Sequence, residues 1–458
     1  MGHRGWGVIG LLMTLQGCAN LAPLPPLPPP PDASLSVVGP KGKPLPDGSR
    51  ERIERAIEAQ DDGSLRRHLA TMEAVSGSPL ITGNRVRLLV DGPAAYGAMF
   101  DAIAAARSEV LIEMFIFEEA HHAGQDLSAL LLQKVRGGVP VGVLYDSVGS
   151  RTTPKEFLAK LADAGVVLCE FNPIAPGRVR GKTAFSHRDH RKVVVVDGAV
   201  AFAGGINFSG TYSSGSRKRR ARAAEAIKDG WRDTNVEVRG PAVAPMRELF
   251  ESTWTGQRCA ARKPPARPLP EPAAAGSTLL RLDASSPAST RNETYLAAVS
   301  SLQAAQESID ITMAYFSPDA QIERALTDAA ARGVRVRLLL PGLLDFGGIL
   351  HAGRAHYARL MAAGIEIYEE PRALLHAKTL SIDGVLSTVG SANWDYLSFA
   401  LNDELNVVVV DREFGARMRE VFENDLAQAV RIDPEEWKRR PLGQKLRQRF
   451  WLTWERLL

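Results

Sequence analysis

Short apolar runs recur along the chain, separated by stretches with helical spacing. Val110-Leu111-Ile112-Glu113-Met114-Phe115-Ile116-Phe117 and Ile309-Asp310-Ile311-Thr312-Met313-Ala314-Tyr315-Phe316 read as equivalent strands. Each is followed by a helix and then by a second apolar run, Val139 to Tyr145 or Val334 to Leu340. Lys192-Val193-Val194-Val195-Val196-Asp197-Gly198 reads as a buried strand entering a turn, and Leu375 to Gly384 reads the same way. Ala201 to Gly205 and Ser387 to Ser391 are further strands ending in small residues. Strands alternating with helices predict an α/β fold of two pseudo-symmetric halves, each a mostly parallel sheet flanked by helices. Residues 50–75 have helical spacing and are expected to lie over the first half.

Polar residues repeat along with the strands. His190, Lys192, Asp197, Gly204, Gly205 and Asn207 form one set. His376, Lys378, Asp383, Gly390, Ser391 and Asn393 form the second, every member 186 positions on (376 less 190). A full spacing repeated this way points to two similar half-modules that each supply half of one site. Strand alternation puts His190 and Lys192 on one face, and likewise His376 and Lys378. A neutral imidazole can attack a phosphodiester at phosphorus while a protonated one donates to the leaving oxygen. Lysines and asparagine amides can hold the non-bridging oxygens, and small residues let the backbone approach them.

The doubled motif resembles the phospholipase D superfamily, with its paired HKD motifs. Trp231-Arg232-Asp233-Thr234-Asn235, Gly240-Pro241-Ala242-Val243, Phe250 and Trp254 resemble its bacterial cardiolipin synthase branch. So do Tyr315-Phe316-Ser317-Pro318-Asp319 and the stretch from His351 to Glu369; the likeness covers roughly residues 85 to 430. The resemblance implies one active site shared between the halves, a phosphatidyl-histidine intermediate, and neither metal nor other cofactor. It makes His190 and His376 the nucleophile and acid/base pair, with His190 favoured as nucleophile. Lys192, Lys378, Asn207, Asn393, Gly205 and Ser391 would meet substrate phosphate. Asp197 and Asp383 complete the catalytic motif, although bracing the strand-turn suits them better than touching substrate. Asp233 and Glu404 would each orient a catalytic histidine, in polar clusters with Asn235 and Asn402. His187-x-x-His190 has a metal-like spacing but no evident third ligand. Glu118 and Asp319 end equivalent strands, where they could line the site or cap.

Composition adds organisation. The 458 residues are 45% hydrophobic with a net charge of +4, so no global polyanion-binding character follows. Trp6 to Leu15 is a short apolar core, and Leu15-Gln16-Gly17-Cys18 resembles a bacterial lipobox. That resemblance implies a signal peptide over 1–17, lipidation at Cys18, and an envelope lipoprotein, on the outer membrane facing the periplasm. Residues 18–49 form a proline-rich linker, with seven prolines between Pro23 and Pro31 expected to act as a stiff spacer. The halves are expected over 50–257 and 278–434, joined by a linker over 258–277. Cys169 and Cys259 could pair in an oxidising compartment, and a buried free Cys169 thiol is an equal alternative. Arg217-Lys218-Arg219-Arg220-Ala221-Arg222 is either a site for anionic headgroups or nucleic acid, or a solvated loop. Residues 435–458 mix cations with aromatics, as an interfacial helix or a docked one would.

The expected activity is a phosphatidyltransferase acting on phospholipids, phosphatidylglycerol first among them, at a membrane surface. A phospholipase D with water as acceptor shares the same first half-reaction. A nuclease is a further alternative, although the lipobox and terminal aromatic cations argue against a nucleic-acid partner.

Overall fold

The computed structural model describes residues 24–29, 34–59, 62–174, 186–216, 230–257, 259, 269–289 and 291–457. Cys18 with its lipobox, and the basic run from Arg217 to Arg222, lie outside the described residues.

Two helices, α1 (Asp47–Glu58) and α2 (Ser64–Ser76), precede the first half. Its strands are β1 (Leu80–Val90), β2 (Val110–Met114), β3 (Val141–Asp146), β4 (Val167–Phe171), β5 (Lys192–Val196), β6 (Val200–Gly204) and β7 (Thr234–Arg239). Helices α3 (Asp91–Ala105), α4 (Leu127–Arg136), α5 (Lys155–Asp163) and α6 (Val243–Gly256) flank them. The spatial order is β4-β3-β2-β5-β6-β7-β1. The second half has β8 (Thr278–Ser285), β9 (Ser308–Met313), β10 (Arg335–Pro341), β11 (Glu366–Glu370), β12 (Lys378–Ile382), β13 (Leu386–Gly390) and β14 (Asn402–Val410). Their order is β11-β10-β9-β12-β13-β14-β8, the same topology again. Helices α7 (Glu293–Ala304), α8 (Ala320–Ala331), α9 (Gly347–Ala362), α10 (Arg412–Leu426) and α11 (Leu442–Leu452) complete the chain.

The α/β architecture of two like halves is as expected, with a more mixed sheet. Within each half the three crossover strands run parallel (β2-β3-β4 and β9-β10-β11). The remaining strands pair antiparallel, and short turns make β5–β6 and β12–β13 hairpins. The two half-sheets become one where β8 pairs antiparallel with β1.

The halves meet through a core of their own. Val193, Val195, Ala201, Ala203, Val236 and Val238 pack with Leu280, Val389, Leu405, Val407 and Val409, all buried. Val194 and Val196, one residue out of phase, face the other side with α3 and Phe202. The four-valine run is thus apolar because both of its faces are covered.

Three placements depart from expectation or resolve it. Leu65, Leu69 and Met72 of α2 and Ile57 of α1 pack with Tyr295, Leu296 and Val299, so residues 50–75 cover the second half rather than the first. Leu24 and Leu27 pack on that core too, so this part of the proline-rich stretch lies against the protein instead of standing off as a spacer. Cys169 and Cys259 form a disulfide with a Cα separation of 5.7 Å.

Candidate active site

Each histidine is built into the opposite half. The backbone N–H of His190 donates to Asp403 O at 2.9 Å, and that of His376 donates to Arg232 O at 2.7 Å. These bonds belong to two short parallel pairings, residues 402–403 with 188–189 and Arg232 with Leu375. The side chains cross in the same way. His190 Nδ1 lies 2.9 and 3.1 Å from the two carboxylate oxygens of Glu404. His376 Nδ1 lies 2.7 Å from Asp233 Oδ2. A carboxylate beside each histidine was expected, and the structure exchanges the partners between halves. Both bonds use Nδ1, so neither carboxylate occupies the Nε2 that chemistry would use.

The cluster is dry. His190 is 7% exposed, His376 6%, and Asp233 and Glu404 are fully buried. Lys192 and Lys378 each donate to the carbonyl of their own motif histidine at 2.5 Å. Lys378 Nζ also lies 3.0 and 3.1 Å from the His376 ring nitrogens. Burial pushes Lys192 down to about 7 and Lys378 down to about 8, against the pull of the two carboxylates. Burial drives His190 down to about 4 although Glu404 pulls it up. His376 is driven well below its ordinary value by burial and then by Lys378, Lys192 and His190. The carboxylates differ. Burial raises Asp233 to about 7. Burial also pushes Glu404 up, but His190, Lys192 and Ser391 together outweigh it and hold that carboxyl below its usual range.

The fifth motif position accounts for part of this asymmetry. Ser391 Oγ donates to Glu404 Oε2 at 2.5 Å and accepts the Leu405 N–H at 3.0 Å. A Cβ at Gly205 would fall 2.1 Å from Asp233 Oδ1, so a serine has no room there. Ser391 therefore holds a carboxylate, a different task from the phosphate contact expected of it. Asn207 Oδ1 accepts the Ile116 N–H at 2.9 Å, and its Nδ2 donates to Tyr212 Oη at 3.1 Å. Asn393 Oδ1 is buried with no hydrogen-bond partner.

Comparison with known proteins gives this geometry its context. The family model "Cardiolipin synthase, PLD-like domain" matches residues 99–218 and 299–426, one stretch in each half. Cardiolipin synthase A of Pseudomonas aeruginosa (strain LESB58) is 36% identical over 387 residues, 84% of this chain and 76% of that protein. Cardiolipin synthase A of Pseudomonas fluorescens (strain SBW25) is 35% identical over 84% of this chain and 78% of its own. The chain belongs to the cardiolipin synthase family. It is a phospholipid-modifying enzyme of the phospholipase D type. Its fold is also similar to phosphatidylserine synthase of Haemophilus influenzae Rd KW20, with a TM-score of 0.56 at 11% identity over 81% of this chain and 95% of that one.

This kinship corrects the cellular address read from Cys18. The relatives are cardiolipin synthase A proteins, and that likeness gives an outer-membrane lipoprotein no support. Among the described residues no helix is long and apolar enough to cross a membrane.

In this family member the motif aspartates brace turns and do not join the catalytic cluster, correcting their place in the catalytic set. Asp197 and Gly198 have φ of 54° and 60°, and Asp383 and Gly384 have 54° and 65°. Successive positive φ values close a tight hairpin, for which Asp-Gly is suited. Asp197 also accepts the backbone N–H groups of Arg107, Ser108 and Glu109 at 2.8, 2.6 and 2.9 Å. Asp383 does the same for Gln306, Glu307 and Ser308 at 2.9, 2.8 and 2.8 Å. Asp197→Ala is expected to cost about 2 to 3 kcal/mol in urea unfolding, from lost charge-assisted bonds and an alanine forced to positive φ. The folded fraction should keep its specific activity; a loss of activity without a loss of stability would return Asp197 to the chemistry.

Around the cluster stand neighbours whose contacts the sequence did not give. Arg232 is buried, donates to both Asp425 oxygens, and holds Asp233 O at 2.6 Å and Thr234 Oγ1 at 2.9 Å. Its only sequence signal is its place directly before Asp233. Arg191 donates to Glu404 O at 3.2 Å and Ser285 O at 2.9 Å, fastening the other carboxylate's strand. Tyr212 Oη lies 3.3 Å from His376 Nδ1, and the Trp231 ring lies 5.1 Å from the His376 ring. His187 Nε2 lies 2.9 Å from Asp403. Asp319 caps α8 through the Ile322 N–H at 2.9 Å, whereas Glu118 accepts from Ser209 and Thr152.

Proposed function

We propose that this protein is a phosphatidyltransferase that makes cardiolipin through a phosphohistidine. His190 Nε2 attacks the phosphorus of one phosphatidylglycerol. The phosphorus–oxygen bond to the headgroup glycerol breaks as His376 gives that oxygen a proton. Glycerol leaves, and the phosphatidyl group stays on His190 through a phosphorus–nitrogen bond. His376, now neutral, takes the proton from a hydroxyl of a second phosphatidylglycerol. That oxygen attacks phosphorus and His190 is released. Lys192, Lys378 and Asn393 would hold the non-bridging oxygens, charge placed in a buried site where it acts strongly.

The observation that carries this assignment is the unequal pair of carboxylates. Glu404 stays ionised at neutral pH and can support the positive charge that forms on His190 during attack. Asp233, raised to about 7, lets the Asp233–His376 pair hold a proton near neutrality, as a general acid requires. A base-like histidine and a histidine paired with a proton-holding carboxyl thus face one another across the halves.

The test is product analysis of purified protein on phosphatidylglycerol vesicles by lipid mass spectrometry. Equimolar cardiolipin and glycerol are expected. Phosphatidic acid without cardiolipin would mean that water is the acceptor and would convert the assignment to hydrolysis.

A further inference from the structure

Helix α11 (Leu442–Leu452) has its polarity reversed relative to the protein it sits on. Leu442, Leu446 and Phe450 recur every fourth residue, on one face, and are 70%, 57% and 56% exposed. Gln448 is 3% exposed on the inner side, where it accepts from Arg440 Nε at 3.0 Å. A helix that only covered its own domain would bury the leucines and expose the glutamine. The orientation is fixed by Trp451, which packs on Gly348 at the start of α9. A Cβ at Gly348 would come within 2.9 Å of that indole.

The apolar face continues toward the site. The Phe346 ring, 6.1 Å from Trp451, is itself 49% exposed. The preceding residue, Asp345, accepts the Tyr315 hydroxyl at 2.7 Å, and the Tyr315 ring lies 6.4 Å from that of His376. Lys438, Arg439, Arg447 and Arg449 are exposed around the stripe. An apolar ridge among cations, next to a site for phospholipid phosphate, matches an anionic bilayer in both polarity and charge.

The geometry points to α11 and Phe346 as the surface that seats the enzyme on an anionic phospholipid bilayer, delivering lipid to the His376 side of the site. The choice of partner rests on the phospholipid reading above; the surface itself does not.

The full chain is tested on vesicles of equal parts phosphatidylcholine and phosphatidylglycerol. Replacing Leu446 and Phe450 together by glutamine removes two half-exposed apolar side chains without opening the core. Vesicle co-sedimentation should weaken about 10- to 100-fold. Gly443→Cys, where a Cβ meets nothing within 4 Å, places a polarity-sensitive dye on the same face in a Cys18→Ser background. Its emission should shift to the blue when vesicles are added. Unchanged emission, or unchanged co-sedimentation of the double variant, overturns the proposal. So does a concentration-dependent dimer that the double variant loses while it still binds vesicles, which would make the face a contact with a second copy. Turnover of dispersed short-chain phosphatidylglycerol should be equal in wild type and double variant. If neither turns it over, the catalytic reading fails while the binding result stands.

Discussion

Changing His190 to alanine is expected to lower cardiolipin formation by at least about 10⁴-fold, some 5.5 kcal/mol of transition-state stabilisation. The side chain that would form the phosphorus–nitrogen bond is gone, and nothing nearby replaces it. Glu404 is held on the far ring nitrogen, and Lys192 is turned to a backbone carbonyl. Changing His376 to alanine should cost a similar factor on phosphatidylglycerol, for a different reason. Here attack remains possible, but glycerol must leave as an unprotonated alkoxide. A donor whose leaving group is p-nitrophenol needs no proton, so it should restore the first step in His376→Ala and not in His190→Ala. The phosphatidyl adduct should then accumulate on the peptide carrying His190, because the base for the second step is missing. An adduct on His376, or restoration of His190→Ala by the activated donor, would reverse the two roles.

Much of this arrangement was legible in the sequence, for identifiable reasons. The two motif sets share a fixed offset, and period-two alternation forces His190 and Lys192, like His376 and Lys378, onto one face of a strand. The valine run at 193–196 had to be buried on both sides. The crossing of the carboxylates was not legible, because alternation fixes a residue's face but not the strand it faces in another half. It depends on Arg232 pairing with Leu375 and Asp403 with Asp189, contacts 143 and 214 residues apart (375 less 232, 403 less 189). The placement of α1 and α2 failed for the same reason: helical spacing shows that a face is buried, not against which half. The antiparallel pairs β5–β6 and β12–β13 followed from turn length, which the Asp-Gly turns at 197–198 and 383–384 announced without being read that way. Arg232 and Arg191 were missed because a buried arginine holding a strand in place looks, in sequence, like any surface cation.

The crossed geometry makes a prediction that a within-half arrangement reverses. Glu404→Gln, a change in the second half, is expected to weaken the nucleophile of the first by about 10² to 10³-fold in kcat. The amide keeps the volume of a fully buried side chain but cannot balance the positive charge that develops on His190. Turnover should therefore stay slow with phosphatidylglycerol and with the p-nitrophenyl donor alike. Asp233→Asn should behave oppositely, slow with phosphatidylglycerol and largely restored by the activated donor, because only the proton on the His376 side is affected. Stability gives an independent check. Glu404 has its folded pKa below its unfolded value of about 4.3. It thus contributes stability above that pH, which is lost as pH falls through the folded value. Glu404→Gln should lose this contribution at neutral pH and show a shallower acid limb in thermal unfolding. If instead Asp233→Asn disables both donors and Glu404→Gln is rescued by the activated one, each carboxylate serves the histidine of its own half. The proton then sits on His190, and the assignment of nucleophile and acid built on the crossing is wrong.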